Sequence, residues 1–241
     1  NKKVTKIASY AFDTLYYLKT LKLPDTIITI EDYAFNNCVN LQTLYLSNDI
    51  SSAGSYIFDN CLNLQSFESV LASDDKKTLI VNSTIVGFAP YGITEYKTPI
   101  GVKNIGDGAF CNAYILKKII ISEGVENIGF EAFLAQDPNK DSFSSQYNLE
   151  ATIEEVYLPS TLKTMHPYAF LFQNKIKGIY GNNEFVSADN KFIWQYDCWG
   201  RKVLCTFTSG ANIREYSIPE GIQVVEHYVF YNSQIESVEF P

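Results

Sequence analysis

The sequence predicts a repeat solenoid, a curved array of short parallel strands with irregular, 3₁₀ or helical turns on its outer side. Three observations carry that prediction. A phenylalanine closes the same short phrase seven times: Ile7-Ala-Ser-Tyr-Ala-Phe12, Ile30-Glu-Asp-Tyr-Ala-Phe35, Ala53-Gly-Ser-Tyr-Ile-Phe58, Ile105-Gly-Asp-Gly-Ala-Phe110, Ile128-Gly-Phe-Glu-Ala-Phe133, Met165-His-Pro-Tyr-Ala-Phe170 and Val225-Glu-His-Tyr-Val-Phe230. An apolar phrase is locked to it six residues later, as in Leu18-x-x-Leu21-x-Leu23 and Leu41-x-x-Leu44-x-Leu46. The basic step is 23 residues, and the longer steps of 29 and 37 read as insertions into one period. A fixed period in this range marks stacked supersecondary units, none of which can bury its apolar face alone.

Each element of the unit has a physical reason. In the apolar phrase the last two apolar positions alternate, so they point the same way from a short strand and the residue between them faces outward. Further copies begin at Leu64, Ile93, Leu116, Ile153, Ile176, Ile213 and Ile235, which makes nine such strands. Pro24, Pro99, Pro159 and Pro219 directly follow four of them, where a missing N–H ends the ladder. A second apolar stretch comes next, for example Val125 to Ile128. The Tyr-Ala-Phe turn then follows on the outer side, its Phe filling the space between the two walls.

Three insertions interrupt the array, at about 70–92, 135–152 and 182–212. The first holds Asp74-Asp-Lys-Lys77 between apolar stretches, and the third alternates with aromatics around Trp199-Gly200. Both are expected to be β-hairpins that each replace the outer Phe turn of one repeat. The second is polar and is expected to be a loop. Unbroken periodicity argues for a single solenoid over 1–241.

The combined phrase, Ile-x-x-x-Ala-Phe-x-x-Cys-x-x-Leu-x-x-Leu-x-Leu-Pro, resembles the BspA-type leucine-rich repeat. Phe35-Asn-Asn-Cys38-Val-Asn-Leu41 and Phe58-Asp-Asn-Cys61-Leu-Asn-Leu64 carry the likeness most closely. Leu15, Ala113, Gln173 and Ser233 depart from it at the Cys position. The resemblance implies a bacterial or protozoan secreted or surface-attached protein that binds host proteins, matrix or other cells. The chain is accordingly expected to be a fragment of a longer surface protein.

Composition bounds the function. Hydrophobic residues make up 46% and aromatic residues 15%, enough for a continuous core. A net charge of −8 argues against nucleic acid, and no run reaches membrane-spanning length. The two histidines, His166 and His227, lie in outer turns without a third ligand, so a metal is not expected. Asp137-x-Asn139-x-Asp141 copies the first three positions of a calcium loop but lacks its Gly and its final Glu. Gly106-Asp-Gly108 lacks the third glycine of a nucleotide fingerprint. No Ser or Cys has a plausible base, so the chain is read as non-enzymatic and without a cofactor. Of the five cysteines, Cys38 and Cys61 share a slot one period apart. They fit small buried thiols, and a disulfide stays open if their Cα atoms approach within about 7 Å.

The outward strand residues are Lys22, Tyr45, Glu68, Lys97, Ile120, Tyr157, Tyr180, Ser217 and Glu239. Among them Tyr45, Ile120, Tyr157 and Tyr180 are candidate anchors for a protein partner, with Lys97 and Lys118 among the charges that set specificity. Tyr157 and Tyr180 are expected at the centre of the site. A second tyrosine series (Tyr10, Tyr33, Tyr56, Tyr168, Tyr228) is assigned to structure. Two further readings differ in kind: a carbohydrate-binding module using exposed Tyr with Trp194 or Trp199, and a passive spacer that displays another domain.

Overall fold

The structure is a computed structural model that describes residues 3–111, 113–135 and 151–241. The calcium-like Asp137–Asp141 and nearly all of the second insertion lie outside the described residues. The first three repeats contribute β1 (Lys6–Ile7), β2 (Thr20–Lys22), β3 (Thr29–Ile30), β4 (Thr43–Tyr45), β5 (Ser52–Ala53) and β6 (Ser66–Glu68). The first insertion forms the hairpin β7 (Thr78–Val81) and β8 (Thr84–Phe88). Next come β9 (Glu95–Lys97), β10 (Asn104–Ile105), β11 (Lys118–Ile120), β12 (Asn127–Ile128), β13 (Glu155–Tyr157), β14 (Thr164–Met165) and β15 (Gly178–Tyr180). A second hairpin, β16 (Phe192–Tyr196) and β17 (Lys202–Phe207), precedes β18 (Glu215–Ser217), β19 (Val224–Val225) and β20 (Ser237–Glu239).

Strands of two and three residues cannot hold a sheet by themselves; stacking similar coils supplies what each lacks. The nine strands expected from the apolar phrase are β2, β4, β6, β9, β11, β13, β15, β18 and β20. They pair in parallel, one coil to the next, as β2-β4-β6, β9-β11-β13-β15 and β18-β20. A second wall stacks β1-β3-β5, then β8-β10-β12-β14, then β17-β19. Between the walls, the repeat phenylalanines form columns: Phe12 on Phe35 at 5.1 Å, Phe35 on Phe58 at 5.5 Å, Phe110 on Phe133 at 4.9 Å and Phe133 on Phe170 at 4.7 Å. Phe35, Phe110 and Phe133 are among the largest fully buried side chains. Each such burial contributes about 1.5–3 kcal/mol.

The outer segments are turns, with no helix among the described residues. Their hydrogen bonds explain the choice of irregular over helical structure. The backbone N–H of Phe12 donates to Ala34 of the next coil and that of Phe35 to Ile57, so the backbone bonds between coils rather than along a helix. Tyr10, Tyr33 and Tyr56 sit in the left-handed region at φ 58°, 55° and 53°. That conformation is unfavourable for a side chain, and stacking of the three rings at 5.1 and 5.0 Å offsets it. The equivalent residue of the next turn is Gly108 (φ 62°), whose added Cβ would lie 2.2 Å from the Tyr56 ring. The tyrosine series therefore has its packing role on the outer side.

Both hairpins interrupt the two walls in the same way. In the first, the Ser73 hydroxyl bonds Asp75 (2.5 Å) and accepts the N–H groups of Lys77 and Thr78 (3.2 and 2.9 Å). In the second, Ser187 bonds Asp189 (2.6 Å) and accepts from Lys191 and Phe192 (2.9 and 3.0 Å). Lys76 and Asn190 occupy matching left-handed positions, and their carbonyls cap the strand N–H groups of Phe67 and Ile179. The Asp74–Lys77 segment is thus a loop that ends the first strand ladder, and the hairpin turn itself lies at Asn82-Ser83. Phe88 and Phe207 take the place of the repeat Phe, packing against Phe110 at 4.7 Å and Phe230 at 5.1 Å. With no outer turn in that coil, flanking turns meet directly: Tyr56 N–H donates to Asp107 at 3.2 Å.

All five cysteines are free. The Cys38 thiol donates to the Phe12 carbonyl (3.0 Å) and the Cys61 thiol to that of Phe35 (3.2 Å), a ladder across coils in place of a disulfide. Burial pushes Cys38 up to about 11 and Cys205 up to about 12. It raises Cys61 and Cys111 well above the ordinary thiol range. Cys198 alone is exposed. Native protein at pH 8 is expected to lose one thiol rapidly to iodoacetamide, and Cys198→Ser to lose none on that timescale. Fast alkylation of a second thiol, mapped by peptide mass, would contradict this packing.

Candidate functional site

Outward residues of the middle sheet line up in two rows fixed by strand register. The third strand positions form the row Lys97, Ile120, Tyr157, Tyr180, and the first positions form Glu95, Lys118, Glu155, Gly178. Five of the six candidate residues, Lys97, Lys118, Ile120, Tyr157 and Tyr180, are therefore neighbours on one sheet. Tyr45 is not among them. It stands between Lys22 and Glu68 on the β2-β4-β6 sheet, on the far side of the first hairpin.

The Tyr157 and Tyr180 rings stack at 4.8 Å between centroids with planes 27° apart. Lys118 Nζ lies 5.1 Å over the Tyr157 ring and 3.6 Å from Glu155. The Tyr157 hydroxyl donates to Glu155 at 3.1 Å. Desolvation, followed by that carboxylate, raises the phenol above its ordinary value. Beside them Lys177 pairs with Glu154 at 2.5 Å and holds its carboxyl below the usual range.

Gly178 is a positioning residue that the apolar and aromatic pattern does not single out. A Cβ there would lie 2.3 Å from the Tyr180 hydroxyl, so the ring can fold back along its own strand only over a glycine. The signal was present as a lone Gly in a column otherwise filled by Thr, Ser, Glu or Lys. The platform is half-exposed: Tyr180 keeps 36% of its surface accessible, while Ile120 and Tyr157 are intermediate.

The outer-turn histidines do not converge on an open site. Both contact Tyr168, with ring centroids 5.6 Å from His166 and 6.3 Å from His227. Burial lowers the affinity of His166 for a proton. Among the described residues no three His, Cys, Asp or Glu side chains are placed to hold a metal ion. Nor is any described helix long and apolar enough to cross a membrane.

Residues 1–74, 86–196 and 204–241 match the model of the BspA type leucine rich repeat region, in six copies. No curated protein matches the sequence. Among solved structures, a leucine rich cell surface protein from Faecalibacterium prausnitzii A2-165 is similar at TM-score 0.64 and 22% identity, over 99% of this chain and 59% of that one. A leucine-rich repeat protein from Bacteroides ovatus ATCC 8483 aligns at TM-score 0.49 and 20% identity, over 98% and 59% of the two chains. The pneumococcal vaccine antigen PcpA aligns at TM-score 0.46 and 20% identity, over 98% and 50%. The chain thus spans roughly half to three-fifths of these neighbours, and the likeness to the first is one of fold.

Proposed function

The chain belongs to the BspA-type leucine-rich repeat family, and we propose that it is a non-enzymatic, adhesin-like module of the cell surface or extracellular space that captures a protein partner on the Lys97–Tyr180 strand face. The observation that carries this reading is the stacked Tyr157–Tyr180 pair, continuous with Ile120 in one half-exposed row. Two preorganised aromatic rings lose little conformational freedom on binding, and Tyr is enriched among interface anchors. Around them Lys118, Glu155, Lys177 and Glu154 form a polar rim of alternating sign, suited to discriminating partners by charge. The surface location named for the Faecalibacterium prausnitzii neighbour agrees with an extracellular role.

The test is capture of purified extracellular-matrix and host-surface proteins by the immobilised chain. A Tyr157→Ala/Tyr180→Ala variant is expected to keep its thermal midpoint within a few degrees and to weaken capture by about thirtyfold, the effect of losing a central aromatic anchor of about 2 kcal/mol. Undiminished capture by the folded variant would exclude the strand face as the binding surface.

A further inference from the structure

The two hairpins are built on the same plan, and their difference identifies residues the plan does not require. The first closes through the two-residue turn Asn82-Ser83, both residues in the left-handed region (φ 49° and 60°), and its strands are almost wholly buried. The second extends beyond the solenoid through Asp197–Arg201. Its tip carries Trp199, 76% exposed, and Tyr196, 59% exposed. Packing of the coil needs neither ring, since Phe192, Ile193, Leu204 and Phe207 already fill the core positions.

The tip is rigidly organised. The Asp197 carboxylate accepts from the backbone N–H groups of Trp199 and Arg201, both at 2.9 Å, and from Arg201 Nε at 2.7 Å. The Arg201 guanidinium thereby lies 4.9 Å over the Trp199 ring, and Lys202 Nζ lies 3.6 Å over the Trp194 ring. Trp194 is braced edge-on by Tyr196 at 5.3 Å. The tip, residues 196–202, holds two cations and one carboxylate, on a protein of net charge −8.

We propose that this tip is a binding site for an acidic glycan, a polysaccharide carrying uronate or sulfate groups. Trp199 offers the ring face away from Arg201 to the C–H face of a pyranose. Arg201 and Lys202, lying over the Trp199 and Trp194 rings, have donors left over for carboxylate or sulfate oxygens. An anionic lipid surface fits less well, because an extended charged plane faces the whole acidic protein, whereas a single polysaccharide chain need reach only the tip. The site is separate from the strand face, and the proposal does not depend on that reading.

Both tryptophans of the chain are in this hairpin, so their emission reports occupancy directly. Titration of the full chain with polygalacturonate and with heparin is expected to change the emission saturably for at least one of them. Added salt should weaken the response, and neutral dextran should give none. Trp199→Ala, at an exposed position and with Trp194 retained as reporter, is expected to weaken binding by about tenfold. Arg201→Gln should reduce both affinity and salt dependence. Tyr157→Ala/Tyr180→Ala should leave the titration unchanged, which separates this site from the strand face. No response to either polysaccharide, equal binding by Trp199→Ala, or a response to phosphatidylserine vesicles alone would overturn the proposal.

Discussion

Phe133→Ala is expected to destabilise the protein by about 3–5 kcal/mol, the usual cost of emptying a buried aromatic site. Phe133 is fully buried and stands between Phe110 at 4.9 Å and Phe170 at 4.7 Å. Hydrogen bonds join the same coils: Phe133 N–H donates to the Ala169 carbonyl, and the Gln173 side-chain amide donates to the Phe133 carbonyl, both at 2.8 Å. Alanine would leave both of these bonds intact and remove the ring stack. In a solenoid each coil contacts only its neighbours, so coupling between the two sides of the gap falls. Urea unfolding followed by circular dichroism should therefore show a lower midpoint and a broader or split transition. Phe133→Leu, which refills most of the volume, should recover the larger part of the loss. A shift below about 1 kcal/mol for the alanine variant would mean that the site collapses without penalty, contrary to the stacked geometry.

Gly210→Ala is expected to cost about 3 kcal/mol, the upper end for forcing atoms into a packed site. The new Cβ would lie 2.2 Å from the Lys175 carbonyl oxygen and 2.5 Å from its carbon. These are backbone atoms, so no rotamer change relieves the contact. Gly210 N–H also donates to Ile176 at 2.9 Å, which holds the return of the second hairpin against the preceding coil. The substitution should lower the thermal midpoint by several degrees and expose apolar surface around Leu204 and Phe207. Gly200→Ala is the matched control. It lies at the hairpin tip with open space around its Cβ position, and only its left-handed φ of 75° opposes the change. A Gly210→Ala protein as stable as Gly200→Ala would show that the hairpin does not close on Lys175.

Much of the candidate site was legible in the outward strand positions. Lys97, Ile120, Tyr157 and Tyr180 share a row because each sits between the last two apolar residues of its phrase. Tyr45 holds the same place in its own phrase yet belongs to another sheet. Its separation depends on the Lys76 carbonyl capping Phe67 from the loop that Ser73 and Asp75 hold, a contact that the apolar period does not encode. Gly178 was equally invisible to a search for anchors, since its role is to leave room for the Tyr180 ring.

Periodicity by itself determined the coil. The apolar spacing selects the nine strands, the small-residue-Phe pair selects the outer turns, and proline follows four of the strand ladders, because these are properties of one repeat read locally. The tertiary structure decided how unlike coils meet: Phe88 and Phe207 filling the phenylalanine slot, and the outer turns closing past the first hairpin. Those contacts join residues that no common period relates, so their energies are settled only when the coils stack.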